Sequence, residues 1–98
     1  MERICKVLKQ HELSVRDYTD SNGQPKQFKS ITLLLQSGAS SIYAEVVQEF
    51  ADYLNEYPTN TSYVYIATLM MTGRSYTDSQ GKERYQTDIR VTSLVRLV

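Results

Sequence analysis

One eight-residue stretch occurs twice in the chain, as Arg16-Asp17-Tyr18-Thr19-Asp20-Ser21-Asn22-Gly23 and as Arg74-Ser75-Tyr76-Thr77-Asp78-Ser79-Gln80-Gly81. The two copies are 58 residues apart and differ at two positions. Each copy ends in Asp-Ser-x-Gly, in which Asp and Ser hydrogen-bond their own backbone and Gly adopts a positive φ. Each copy therefore predicts the turn of a β-hairpin. With two copies at so long a period, the repeat indicates one hairpin used twice and not a solenoid.

Residues that favour β-strands flank both turns. Val, Ile, Thr, Tyr and Leu are abundant there and alternate in part with polar residues. We predict four strands around the two turns: Leu13–Thr19, Gln27–Gln36, Tyr63–Thr77 and Arg84–Leu97. The first of them is expected to begin near Arg3 and to bend around Gln10–Glu12, and a short strand over Ser40–Tyr43 follows the first hairpin.

A helix is predicted over Ala44–Tyr57, between the two hairpins. It has an apolar stripe at helical spacing, formed by Val46, Val47, Phe50, Ala51 and Leu54. Its other side carries acidic residues, and Pro58 ends the helix because proline cannot donate to the hydrogen-bond ladder.

The predicted order of elements is β-β-β-α-β-β, which makes the fold all-β with one helix. Five antiparallel strands in so short a chain leave exposed sheet edges, and closure into a barrel removes them. We therefore predict a single OB-fold domain over residues 1–98, a five-stranded antiparallel Greek-key barrel. In that fold the loop between strands one and two and the loop between strands four and five flank the ligand groove. The repeated turns fall on those two loops.

Composition excludes several classes of protein. The chain has 98 residues, of which 41% are hydrophobic and 22% charged, as expected of a small globular domain. Eleven basic residues balance eleven acidic ones, which excludes a protein that coats polyanions by bulk charge. One Cys and one His exclude a disulfide framework and a Cys- or His-rich metal site. No nucleophile, metal or phosphate-loop motif is present, so we expect no enzyme activity and no cofactor.

Charge is distributed unevenly along the chain. The segment Tyr43–Tyr57 holds four acids and no base, so the rest of the chain has a basic surplus of four. Seven cations lie in or beside the hairpins: Arg16, Lys26, Lys29, Arg74, Lys82, Arg84 and Arg90. Four aromatic residues are interleaved with them: Tyr18, Phe28, Tyr76 and Tyr85. Cations that follow a phosphate backbone, together with rings on which bases stack, are typical of single-stranded nucleic acid binding. The same residues also have an explanation without a ligand, since Lys and Arg keep exposed edge strands soluble and Tyr favours β-strands.

The order of these motifs resembles the bacterial single-stranded DNA-binding protein family. The similarity is clearest over Arg74–Ile89, which resembles the family's fourth strand, turn and fifth strand, and it continues in the helix and in Ser30–Leu33. The resemblance runs colinearly from about Leu13 to Leu97. It implies that Tyr76 and Tyr43 stack on bases, that Arg74, Lys82 and Arg84 occupy basic positions, and that Tyr53 and Tyr85 pack structurally.

The chain departs from the family pattern in three places. It has no Trp, so stacking would use Tyr and Phe. The hairpin between strands two and three is shortened to Gln36–Ser41. No acidic tail follows, so we expect a tail-less variant.

From these observations we predict a cytoplasmic protein that binds single-stranded DNA with little sequence specificity, in replication, repair or recombination. Electrostatic capture is assigned to Lys26, Lys29, Arg74, Lys82 and Arg84, and stacking to Tyr18, Phe28, Tyr43 and Tyr76. We expect a homodimer or homotetramer, because Tyr63, Tyr65, Met70 and Met71 give the fourth strand apolar residues on both faces, and no membrane segment. Two alternatives stay open: a single-stranded RNA binder, and a protein-interaction module that does not bind nucleic acid.

Overall fold

A computed structural model describes all of residues 1–98. The chain forms six strands and one helix, in the order β1 (Glu2–Gln10), β2 (Ser14–Thr19), β3 (Pro25–Ser37), β4 (Ser40–Val47), α1 (Gln48–Glu56), β5 (Tyr65–Thr77) and β6 (Glu83–Arg96). The predicted mostly-β class with one helix is confirmed. No helix is long and apolar enough to cross a membrane.

The strand pairings connect five of the six strands in a circuit. β1 pairs with β5 through Glu2–Cys5 and with β3 through Lys6–Gln10. β3 also pairs with β4, β4 with β6, and β6 with β5, which leads back to β1. β2 pairs only with β3 and is an edge strand.

Two features of the predicted sheet are wrong. The sheet is mixed, since β4 and β6 run parallel where Glu45 meets Arg90. β6 follows β4 after two reversals of chain direction and so returns to the direction of β4. The sheet also has six strands instead of five, because the expected bend after Gln10 is a complete break between β1 and β2. At this break the His11 N–H donates to the carbonyl oxygen of Thr32 at 2.9 Å.

The helix is shorter than predicted, because its first four residues belong to β4. Ala44 and Val46 are buried while Glu45 is exposed, which is the two-residue period of a strand. The adjacent valines are β-branched and continue β4 as far as the pairing of Val47 with Ser30. The chain then turns sharply at Gln48, whose φ of 55° lies in the left-handed region.

Gln10 fixes the end of α1 against the sheet. Its Nε2 donates to the carbonyl oxygen of Leu54 at 3.0 Å. Its Oε1 accepts from the backbone N–H of Thr59 at 2.9 Å and from the Thr59 hydroxyl at 2.7 Å. One side chain thus joins β1, the last turn of the helix and the loop that leads to β5.

The core consists of thirteen buried residues, all apolar or aromatic. On β3 the odd-numbered Ile31, Leu33 and Leu35 point into it, and the even-numbered residues point outwards. The inward and outward sets also alternate on β4. We call the surface formed by the outward side chains of β2, β3, β4 and residues 70–90 of β5 and β6 the outer face.

Both repeats form the turns of β-hairpins, as the sequence predicts, and both hairpins are long enough to reach beyond the core. We call residues 14–30 the first arm and residues 70–90 the second arm. Every residue of β2 is exposed, and so is every residue of β5 from Met70 onwards. The radius of gyration is 15.4 Å, compared with about 13 Å for a compact chain of this length. The arms account for this elongated shape.

The two turns are built in the same way. In the first, Asp20 Oδ1 accepts from the backbone N–H groups of Asn22 and Gln24, both at 2.9 Å. In the second, Asp78 Oδ1 accepts from those of Gln80 and Lys82, also both at 2.9 Å. The glycines that follow have φ values of 78° at position 23 and 77° at position 81. The sequence repeat is therefore a repeat of turn geometry.

Alternation along β3 predicts different effects of two adjacent substitutions on stability. Leu33 is fully buried, whereas Leu34 points outwards and is half-buried. We expect Leu33→Ala to lower the free energy of unfolding by about 2–5 kcal/mol, because it leaves a cavity in the core. Leu34→Ala is expected to cost less than half as much. Urea unfolding of both variants measures the difference, and equal losses would contradict the assignment of the faces.

Candidate nucleic-acid interface

Three of the predicted binding residues share the outer face of the first arm. Tyr18 on β2 lies directly opposite Lys26 on β3, and Arg16 lies directly opposite Phe28. Residues directly opposite one another in an antiparallel pair point to the same side, as do residues two apart in a strand. The first arm therefore presents two aromatic rings and two cations together.

The second arm repeats three of these four side chains by type. Tyr76 on β5 lies opposite Arg84 on β6, as Tyr18 lies opposite Lys26. Arg74 lies two residues before Tyr76 on the same side, opposite Gln86. The first arm thus carries Arg16, Tyr18 and Lys26. The second arm carries Arg74, Tyr76 and Arg84, each 58 residues later in the chain.

A pair of arginines connects the two arms across the outer face. The Arg16 guanidinium carbon lies 5.3 Å from the centroid of the Phe28 ring, and that of Arg90 lies 6.0 Å from it. Arg90 belongs to β6, at the base of the second arm, where it pairs with Met70. Sequence reasoning counts both arginines among the cations near the hairpins but does not assign them to the site. Within the hairpins, Arg16 lies opposite Phe28 and Arg90 has the parity of Arg84 along β6. This alternation is the signal that could have placed each arginine on the outer face.

Tyr43 is on the same outer face, further along the sheet. It pairs with the outward-pointing Leu34, and its side chain is 63% exposed. Its ring centroid lies 6.2 Å from that of His11, whose Nε2 is buried without a hydrogen-bond partner. An exposed ring supported from one side by a second ring is suited to stacking.

Two of the predicted cations lie apart from this face. Lys29 has the opposite parity to Phe28 and points towards α1, where its Nζ lies 2.9 Å from Asp52 Oδ2. It lines a polar groove of about 730 Å³ between the first arm and the helix. Lys82 is at the tip of the second arm, where its backbone N–H takes part in the turn. Tyr18 and Lys26 also line the polar groove, so the structure brings Lys29 near one predicted stacking residue, Tyr18, but on the helix side of the first arm and away from Tyr43 and Tyr76.

Carboxylates already pair with three of the five predicted cations. Besides Lys29, Arg74 Nε lies 2.8 Å from Asp88 Oδ2, and Arg84 Nε lies 2.9 Å from Asp78 Oδ2. Water screens the attraction in ion pairs at such exposed positions, so a phosphate can compete with the carboxylate. Lys26 and Lys82 have no such partner, and neither do Arg16 and Arg90.

The structural role predicted for Tyr53 and Tyr85 is wrong. Tyr53 is 58% exposed and its ring lies 5.1 Å from that of Tyr57, while Tyr85 is 78% exposed. Tyr85 is on the second arm on the side away from Tyr76, where no other layer covers the hairpin. A packing role requires a layer behind the ring, and the arm has none.

The single cysteine belongs to the core. Cys5 is buried on β1, and burial raises the pKa of its thiol, which disfavours the thiolate that a nucleophile needs. No group of three or more His, Cys, Asp or Glu side chains is arranged to hold a metal ion.

Neither a scan against protein-family models nor a search of the curated proteins finds a match.

The pKa of Asp78 depends on the ion pair of the second turn. The Arg84 side chain lowers it below its ordinary value of 3.8, and the N–H groups of Lys82 and Gln80 lower it further. We expect Arg84→Gln to raise this pKa, while the backbone N–H groups keep part of the shift. NMR titration of the Asp78 carboxyl carbon measures it, with Arg16→Gln as the control. An unchanged pKa in Arg84→Gln would contradict the ion pair.

The same shift predicts how the ion pair responds to acid. Because the pKa of Asp78 is lower in the folded state than in the unfolded state, the ionised carboxylate stabilises the fold above the ordinary carboxyl range. This stabilisation should be complete at neutral pH and disappear as the pH falls through the pKa of folded Asp78. Thermal unfolding of the wild type and Arg84→Gln should therefore converge at low pH, and a difference that grows in acid would contradict the sign.

Proposed function

We propose that this chain is an OB-fold barrel that binds single-stranded DNA on its outer face. The circuit of pairings supports the fold, with β1 and β2 together as the bent first strand and α1 between the third and fourth strands. In that fold the second and third strands and the two hairpin loops form the ligand groove. Here the corresponding elements are β3, β4 and the two arms.

One observation carries the proposal: both arms present an exposed tyrosine opposite a cation, and Phe28 with Arg90 joins the two sets. Tyr18 is 43% exposed and Tyr76 is 46% exposed, so both rings have a free surface. Stacking of a base on such a ring contributes about 1–3 kcal/mol. The cations would follow the phosphates between the stacked bases. Every base has an aromatic face, so little sequence preference follows.

Biological role and polymer type are part of the same proposal. A DNA strand bound without sequence preference suits replication, repair or recombination in the cytoplasm. A single-stranded RNA would use the same rings and cations, so oligo-dT and oligo-rU should be compared directly. A chain that binds neither would instead be a protein-interaction module of the same fold.

The two tyrosines of the second arm provide a matched test of the binding face. Tyr76 is on the outer face of the second arm and Tyr85 on its other side. We expect Tyr76→Ala to weaken binding of oligo-dT by about 1–3 kcal/mol, because one stacking surface is lost. Tyr85→Ala should leave the affinity unchanged. Fluorescence anisotropy with labelled oligo-dT measures both, after circular dichroism has shown that the variants are folded. Equal losses in the two variants would reject the outer face as the binding face.

The proposed homodimer or homotetramer has a candidate surface on β1, β5 and β6. Ile4, Ile66 and Val95 are directly opposite one another across these strands. Ile4 is 61% exposed and Val95 58%, so the row is largely uncovered. β1 pairs with β3 only from Lys6 onwards, which leaves the other edge of Glu2–Cys5 open to a second copy. Of the predicted contact residues, Tyr65 is buried in the core, whereas Met70 and Met71 are exposed.

A charge in this row should prevent self-association. We expect the wild type to show at least twice the chain mass of 11.3 kDa in light scattering at micromolar concentration. Ile4→Glu should give the mass of one chain, because a carboxylate would have to be buried without a partner. Tyr53→Glu, on the exposed face of α1, is the control. A wild type with the mass of one chain would contradict the oligomer.

A further inference from the structure

Two arginines converge on one aromatic ring at the base of the arms, and neither has a carboxylate partner. Arg16 comes from the first arm and Arg90 from the base of the second, at 5.3 and 6.0 Å from the Phe28 centroid. Both Arg90 and Phe28 are half-buried. Neither arginine makes an ion pair within 4.0 Å.

Two acidic residues near this cluster, Asp88 and Glu45, form no ion pair with either arginine. Asp88, two residues before Arg90 on the same side of β6, binds Arg74 at 2.8 Å and accepts from Gln86 Nε2 at 3.0 Å. Glu45 is in register with Arg90 but forms no ion pair with it. Arg16 and Arg90 therefore lack the direct carboxylate contact that Arg74 and Arg84 have.

Two guanidinium groups near one half-buried ring concentrate positive charge at this part of the outer face, and the negative face of the ring offsets only part of that charge. A bound anion would offset the rest. The planar, forked guanidinium matches the oxygens of a phosphate and binds them in a bidentate way. The cluster also lies where the outer faces of the two arms meet.

We propose that Arg16 and Arg90, positioned by Phe28, form a phosphate site that binds a phosphodiester of the single strand as it crosses from one arm to the other. This inference rests on the proposed function. It adds the position at which the protein holds the sugar–phosphate backbone of the DNA strand. Tyr18 is two residues from Arg16 on the same face, so the phosphate would be next to a stacked base. A nucleic-acid backbone and free phosphate would present the same anion to this site. The position between the two arms favours the nucleic-acid backbone as the ligand.

A purely structural role is the competing explanation, and the chain contains a control for it. Arg96 stacks over Tyr63 with its guanidinium carbon 3.6 Å from the ring centroid, near the C-terminal end of β6. This pair has the same chemistry outside the proposed site. Replacing Arg96 should therefore report what the loss of an arginine–aromatic contact does to the fold alone.

The experiment is a titration of labelled oligo-dT at several salt concentrations, for the wild type, Arg16→Gln, Arg90→Gln, the double variant and Arg96→Gln. Loss of the contact with this one phosphate should reduce the magnitude of the log–log salt slope by about 0.7 in the double variant, and each single variant should lose part of this amount. Affinity at low salt should fall roughly tenfold for each single variant. Arg96→Gln should keep the slope and affinity of the wild type. Arg16→Lys and Arg90→Lys should keep the slope but bind more weakly, because lysine retains the charge without the fork.

The outcomes separate this site from the proposed function. If the wild type binds and the double variant keeps its slope and affinity, the phosphate site is wrong while DNA binding stands. If the wild type does not bind even at low salt, DNA binding and the proposed source of the phosphate both fail. Thermal unfolding in phosphate and in chloride of equal ionic strength tests the other source. A Tm increase specific to phosphate, absent from the double variant, in a protein that does not bind oligo-dT would make free phosphate the ligand and overturn the backbone assignment.

Discussion

The alternation of side chains along β3 determines both the core and the candidate site. Its odd-numbered residues, such as Leu33, fill the interior, and this burial holds the strand in one register, since a shift by one residue would exchange the two sets. The register continues without interruption into the first arm, where no core remains. Phe28 therefore points to the outer face and Lys29 to the helix. Burial of the odd-numbered residues of β3 in the core therefore sets the direction of the polar and aromatic side chains in the first arm, which lies outside the core.

The arms need support of a different kind, because a two-stranded hairpin is only marginally stable by itself. The aspartates at positions 20 and 78 provide part of it, each accepting two backbone N–H groups and closing its turn in the same geometry. Cross-strand pairs such as Tyr18 with Lys26 add to it. Both arms project beyond the core and leave their tyrosines accessible, so the exposure that limits their stability also makes them suitable for binding.

Much of this architecture could be predicted from local sequence. The repeated Asp-Ser-x-Gly turns predicted two hairpins, and β-prone runs predicted the strands beside them. The boundary between β4 and α1 was missed, because the apolar residues Val46 and Val47 fit a helical stripe as well as a strand, and only pairing with β3 decides between them. Tyr18, Lys26 and Phe28 were selected from composition and share a face. Arg90 was not assigned to the site, because its proximity to Phe28 depends on β6 lying parallel to β4, a long-range pairing that no local pattern encodes.

The central claim is that the outer face, including both arms, binds single-stranded nucleic acid. Backbone amide chemical shifts of the isotope-labelled protein, followed during titration with oligo-dT, test it most directly. We expect chemical-shift changes along both arms and around Tyr43 on β4, with little change around Tyr53 on α1 or around Ile4 on β1. Shifts concentrated at α1 or on β1, or no shifts at low salt, would contradict it.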